Sequence, residues 1–239
     1  MLQKFKLFTV TKQLMIIALI FGVLNFIAVV FLDINASRAM RAITSVVVFI
    51  YYLFFLRCNH KWLFTVLLLI ILTNIGLVFY GFDYGMLLFT MTSVVVYLLF
   101  SLKAFLQLEW MKVKWFEYLS YLLIFAFNLY SFNYLSDIIS PLFEEVMMFY
   151  MLKLMGFVGI TMCLIVGFYN STRASFKSAY FMYAVFGFVF SDFCAMIAFY
   201  FEIAPQIFFF LDRGLFLFGI YFLMRYAYEM HLEQQSVSN

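Results

Sequence analysis

Asp192 is a carboxylate set well inside an apolar run bounded by Lys177 and Glu202. An ionisable side chain at that depth in hydrocarbon costs several kcal/mol unless it is paired or has a function. Lys153 and Arg213 also fall within apolar runs, and Asn25, Asn74, Ser93 and Asn128 punctuate others. Those residue types suit two chemistries, proton transfer by a carboxylic acid and capture of an anion by cations. The plainer reading is a set of interhelical hydrogen bonds plus an Asp192–Arg213 or Asp192–Lys153 ion pair. Asp212 neighbours Arg213, and a helix turns ~100° between successive residues, so the two are expected to face apart.

These side chains must be positioned by helices that cross a membrane. The chain is 67% apolar and 11% charged, with a mean hydropathy of +1.05, where a soluble domain averages about half apolar and about a quarter charged. Its charges cluster between apolar runs of roughly 17 to 24 residues, the length that spans hydrocarbon as a helix. The expected fold is all-α, a polytopic bundle of about eight transmembrane helices forming a single domain over 1–239. The spans fall at roughly 14–32, 38–56, 62–80, 86–102, 118–136, 146–169, 179–201 and 206–224. The basic start before the first run resembles a signal peptide, but that run is longer than a signal's apolar core and reads as a retained helix.

With the N-terminus inside, Lys4, Lys6, Lys12, Arg57, Lys61, Lys103, Lys112, Lys114, Arg173, Lys177 and Arg225 fall on the cytoplasmic side, and only Arg38 and Arg41 on the other. That bias places both termini in the cytoplasm, with the plasma (inner) membrane as the expected site. The segment Leu102–Glu117 reads as a basic, amphipathic connector lying at the surface. Tyr51, Tyr52, Trp62, Tyr80, Trp110, Trp115 and Tyr200 near span ends suit interfacial belts. The net charge of +3 carries no implication of nucleic acid.

Cys58, Cys163 and Cys194 suggest free thiols packed as small apolar residues. His60 and His231 both lie near span ends, so the bilayer interior offers no HExxH zinc site, bis-His haem or Ser–His pair. No metal site and no cofactor are expected.

At ~1.5 Å of rise per residue, Asp192 lies roughly 15 Å from one membrane face and Arg213 about 12 Å. Lys153, Asn74, Asn25, Ser93 and Asn128 fall in the same layer, with Arg41 nearer the mouth of the second span and Thr44 and Ser45 one turn below it. Polar groups in lipid must find partners, so the expected arrangement is a shared pocket of Asp192, Lys153 and Arg213, with Asn74 within reach. A faint four-plus-four repeat accompanies this layer: Thr73-Asn74 then Phe79-Tyr80 in span three, and Ser191-Asp192 then Phe199-Tyr200 in span seven.

Three segments carry a resemblance. Arg41-Ala42-Ile43-Thr44 opens span two; Thr73-Asn74 precedes Phe82, Gly85 and Phe89; Phe188-Val189-Phe190-Ser191-Asp192 lies in span seven. In order and span count these resemble the YhhN-type membrane proteins, which include the lysoplasmalogenases. That family carries a Lys-Pro-Leu-Thr-like motif, a Gly-Asp followed by F-x-x-G-x-x-x-F, and F-x-x-S-D. Here Asn74 stands where the family has an aspartate, Ser93 where a histidine is expected, and the span-two proline is missing. An Asn cannot give and recover a proton as a carboxylic acid does.

The resemblance implies hydrolysis of the vinyl ether of a lysophospholipid, with membrane lipids as partners. The hard step is protonation of the vinyl ether to an oxocarbenium-like centre. A carboxylic acid kept protonated by apolar surroundings can supply that proton. Asp192 would be the acid and Asn74 would hold the water. Ser191, Arg41, Lys153 and Arg213 would bind substrate, the cations through its phosphate. A cation beside Asp192 opposes its role as an acid. Two alternatives stand beside this: a non-catalytic relative that binds lipid or senses the envelope, favoured by Asn74 and Ser93, and a small-solute carrier. Carrier helices are often broken near the site, whereas Pro141 and Pro205 lie at span ends.

Overall fold

The computed structural model describes residues 2–56, 60–109, 113–143, 145–201 and 205–238. Arg57, Cys58, Trp110, Lys112 and Glu202, which carry sequence expectations, lie outside the described residues. Among the described residues there are eight long α-helices and no strand. They are α1 (Leu2–Phe31), α2 (Ile34–Tyr51), α3 (Lys61–Val78), α4 (Asp83–Phe105), α5 (Trp115–Ile139), α6 (Val146–Arg173), α7 (Phe176–Tyr200) and α8 (Pro205–Ser238). All eight contain a segment long and apolar enough to cross a membrane. In lipid a helix satisfies its own backbone, which is why such runs fold this way.

The expected spans coincide with these helices. α1 begins well before residue 14 and α8 continues well past residue 224. α2 ends in a π-helical turn, Tyr52–Leu56, and a 3₁₀ turn, Ser140–Leu142, closes α5. Local chemistry sets several boundaries. The Asp33 side chain accepts from the Ala36 amide at 2.7 Å, capping α2. Ser175 and Ser178 form a reciprocal capping box at the start of α7. Ala174, at φ 43°, takes the left-handed position that closes α6.

Packing makes a ring. Each of α1, α2, α3, α4, α6, α7 and α8 packs on the next, and α8 returns to α1. α5 lies outside this ring, with α6 as its main neighbour, and it presents Leu123, Phe127 and Tyr130 outward. Such exposed apolar surface is what lipid contact requires.

Two close approaches lock the ring. A Cβ on Gly187 of α7 would lie 2.8 Å from the Gly219 backbone of α8. Gly76 of α3 meets the Phe89 backbone of α4 in the same way, at 2.6 Å. Small residues let helices in lipid approach until backbones touch, where dispersion replaces a hydrophobic drive. Ala184, Gly187 and Ser191 share one stripe of α7, so the glycine contact also delivers Ser191 and Asp192 to α8.

Several interfacial expectations change. Tyr51, Tyr52 and Tyr80 are buried in the bundle, while Trp115 is exposed. Arg38 and Arg41, expected on the far side, are turned inward from α2 with 6% and 2% of their surface exposed. The 102–117 connector is tied to α6, because Arg173 pairs with Glu109 at 2.7 Å and donates to the Gln107 carbonyl at 3.2 Å.

Candidate functional site

One face of α2 carries Ser37, Arg38, Arg41, Thr44 and Ser45, all buried. Their three- and four-residue spacing forms a polar stripe aimed into the ring. Facing it, α7 contributes Ser191 and Asp192, α8 contributes Asp212 and Arg213, and α4 contributes Tyr97.

Arg41 is the bridge. Its Nη2 donates to Asp192 Oδ1 at 2.7 Å, and its Nη1 donates to Asp212 Oδ1 at 2.6 Å. The Phe216 ring lies under the guanidinium, 4.4 Å from centroid to Cζ, which suits a delocalised cation. Tyr97 donates its hydroxyl to Asp192 Oδ2 at 2.5 Å. Ser191 Oγ donates to Asp212 Oδ1 at 2.6 Å. Arg213 donates through Nη1 to Asp212 Oδ2 at 2.5 Å and through Nε and Nη2 to Ser37 Oγ at 3.2 and 3.1 Å. Seven side chains from α2, α4, α7 and α8 are thus bonded to one another, with Arg41 Nε left without a partner.

The grouping differs from the one the sequence suggests. Asp192 pairs with Arg41 rather than with Arg213 or Lys153. Lys153 lies apart, bonded to Asp137 of α5 at 2.9 Å, with both side chains partly or largely exposed. It sits on the face of α6 turned toward peripheral α5, where a long lysine stem carries its charge outward. Asp212 and Arg213 do not face apart, because the arginine is long enough to fold back onto its neighbour's carboxylate. Asn128, assigned to the polar layer, is exposed on α5 and donates to its own helix at Ile124 O. Asn25 joins the ring through Thr44 Oγ1 at 3.3 Å.

Asn74 and Ser93 are buried, and neither side chain has a hydrogen-bond partner. Thr73 and Thr92, their immediate neighbours, bond across α3 and α4 at 2.9 Å, so both lie at nearly one depth. Ser93 is one turn from Tyr97, and Asn74 is one turn from Leu77. Asn74 makes no bond to Asp192.

Asp192 is a wall of two cavities. One, of about 20 Å³ and roomy enough for a water molecule, is lined by Arg38, Tyr80, Phe89, Asp212 and Arg213 besides. The other, of about 110 Å³, is almost wholly apolar, with Phe132, Ile160, Val189, Phe190 and Phe193 around it. Through Ile160, Val189 and Phe190 it adjoins a further apolar space of about 150 Å³ between α5, α6 and α7.

Arg38, Tyr97, Ser37 and Asp212 are site residues that sequence reasoning missed. Arg38 is one turn from Arg41, and Tyr97 one turn from Ser93, so helical spacing alone put each on a polar face. The paired aromatics of spans three and seven do meet: the Tyr80 and Tyr200 hydroxyls are 2.9 Å apart, and the Tyr80 and Phe199 rings are 4.8 Å apart.

Among the described residues, eight membrane-length helices, seven of them ringed about a buried arginine–carboxylate network, define the class, a multi-span α-helical membrane protein. Comparison with protein-family models, curated proteins and solved structures finds no match. Among the described residues no group of His, Cys, Asp and Glu is arranged to hold a metal ion.

Proposed function

We propose that the protein hydrolyses the vinyl ether of a lysophospholipid within the membrane, in the manner of the YhhN-type lysoplasmalogenases. The observation that carries this reading is the position of Asp192, between a cavity that Arg38, Arg213 and Asp212 line and an apolar one. A lysolipid has the same order of parts: charged head group, reactive linkage, hydrocarbon chain. The Phe188–Asp192 segment and the order of the three motifs support the same reading.

In this scheme protonated Asp192 gives its proton to the vinyl carbon remote from oxygen. Water adds to the oxocarbenium carbon and returns a proton to the Asp192 carboxylate. The hemiacetal then releases the glycerol hydroxyl and a fatty aldehyde, so the acid is regenerated. Arg41 keeps Asp212 as its partner while Asp192 is protonated. Tyr97 orients the Asp192 carboxyl, and Asn74 and Ser93 offer unpartnered polar atoms to water.

The second reading is a non-catalytic lipid-binding relative. It is favoured by the two donors on Asp192, the bonding of an ionised carboxylate, and by Asn74, which carries no acidic proton. A carrier has less support, since α2, α7 and α8 run unbroken past the network. We place the Lys61, Lys103, Lys114 and Lys177 end of the bundle in the cytoplasm, facing away from Asp33, Asp83 and Glu145.

Fatty-aldehyde release from a lysoplasmalogen, measured on purified protein beside its Asp192→Asn and Tyr97→Phe variants, tests the proposal. Release by the parent, abolished in Asp192→Asn and reduced in Tyr97→Phe, is expected. An inactive parent that the same lipid stabilises moves the assignment to the binding relative. A parent neither active nor stabilised rejects both.

A further inference from the structure

The buried network is not neutral. Arg38, Arg41 and Arg213 bring three positive charges and Asp192 and Asp212 at most two negative ones, which leaves one positive charge with Asp192 ionised and two with it protonated. The surplus has an address. Arg41 bonds both carboxylates and Arg213 bonds Asp212, but among the described residues no oxygen accepts from Arg38. Its guanidinium instead lies 5.7 Å from the Tyr80 ring centroid and 5.3 Å from that of Phe199. Aromatic faces soften the cost of a cation out of water without removing its charge. Arg38, a residue 6% exposed with no carboxylate bonded to it, retains its directional donors for an incoming oxyanion.

Arg38 and Arg213 line the small cavity beside Asp192. Phe199 and Phe209 also border a wider cleft of about 650 Å³ at the Asp33 and Phe201 end of the bundle. Ser37, which Arg213 bonds, is part of that cleft's wall. The small cavity that Arg38 lines therefore shares two walls, Phe199 and Phe209, with that cleft.

We infer that Arg38, supported by Arg213, is the anchor of a binding site for a singly charged phosphate ester. A phosphodiester brings one negative charge, which reduces the surplus in either state of Asp192, and presents two oxygens to a forked donor. The inference deepens the lipid reading above by naming the group that takes the head-group phosphate. It replaces the expected lysine, because Lys153 is held by Asp137 outside the ring.

The test uses full-length protein in a non-ionic detergent, with thermal unfolding read against three probes: lysophosphatidylglycerol, a monoacylglycerol of the same chain, and inorganic phosphate. The lysophospholipid should raise the midpoint of the parent, and the uncharged monoacylglycerol should not. Arg38→Gln should unfold near the parent's midpoint without lipid and bind the lysophospholipid about tenfold or more weakly, the loss of one charge-assisted contact. Arg38→Lys should recover part of the shift. An Arg38-dependent shift with phosphate alone also supports the site and assigns it a soluble anion. An equal lysophospholipid shift in Arg38→Gln, or no shift in the parent, overturns the proposal. A much lower midpoint of lipid-free Arg38→Gln overturns it too, leaving Arg38 as a packing cation. Aldehyde release distinguishes the two readings: an Arg38-dependent shift without release rejects the hydrolase and leaves the anion site. Release that Arg38→Gln leaves unchanged rejects the anion site and leaves the hydrolase.

Discussion

Arg41 and Asp192 meet at 2.7 Å across 151 residues of chain, with 2% and 7% of their side-chain surfaces exposed. A pair this deep contributes little net stability relative to an apolar pair, because each ion surrenders its hydration. Removing one partner is another matter, since it strands a charge. Its value therefore lies in holding α2, α7 and, through Asp212, α8 in one register.

That asymmetry sets the first prediction. Asp192→Leu or Arg41→Met alone should destabilise the bundle by about 3–5 kcal/mol. The double variant should recover much of the loss, because Asp212 keeps Arg213. Unfolding in detergent–denaturant mixtures measures it, and equal losses in the single and double variants would contradict the coupling.

The α7–α8 contact sets the second. Gly187→Ala places a methyl 2.8 Å from the Gly219 backbone and should cost about 1–3 kcal/mol by overpacking. Gly214→Ala has nothing within 4 Å of the new carbon and should be neutral or gain about 0.5–1 kcal/mol from helix propensity. Thermal midpoints of the two variants decide it, and the reverse ordering would rule out the close crossing.

Asn74 is a buried amide without a protein partner, so Asn74→Leu removes an unmet polar group and should leave stability equal or higher. If it orients water, the same change should suppress aldehyde release. Asn74→Asp should raise release under the hydrolase reading, by restoring the carboxylate that the resemblance expects. Under the binding reading it should be inert and destabilised. Release and unfolding followed on one preparation tell these apart.

His60 lies between α2 and α3, outside the spans. Burial pushes its imidazole below the ordinary value, and nearby Lys103, Lys177 and His231 push it the same way. A depressed folded value means that the unfolded chain binds the proton first. Stability should be unaffected by this group above about pH 6.5 and decline as pH falls from there to the folded value, below which the loss levels off. His60→Gln should flatten the melting profile over that window, and an unchanged slope would exclude the effect.

Asn74 and Lys153 mark where sequence reasoning succeeded and where it did not. Asn74 was legible as an inward-facing amide and is 1% exposed, whereas Asn128, read the same way, satisfies itself on its own helix and stays exposed. Lys153 was not, because its depth resembled that of Asp192 while its azimuth pointed to α5. Depth follows from counting along a helix; azimuth toward a partner depends on which helices stand side by side. Arg38 was hidden for the opposite reason, since its place near a span end suggested a loop charge.

Composition and run length alone determined that this chain crosses a membrane about eight times, because the hydrocarbon thickness fixes helix length and leaves backbone groups no other partner. Helical spacing alone put Arg41, Thr44 and Ser45 on one stripe. Tertiary structure decided the rest. It closed seven helices into a ring with α5 outside, gave Asp192 to Arg41 and Lys153 to Asp137, and left Arg38 against Tyr80 and Phe199 with no carboxylate bonded to it. Those outcomes depend on backbone approaches such as that of Gly187 to Gly219. In lipid, helix pairing is selected by close packing rather than by a hydrophobic pattern, and no periodicity along a single helix records its partner.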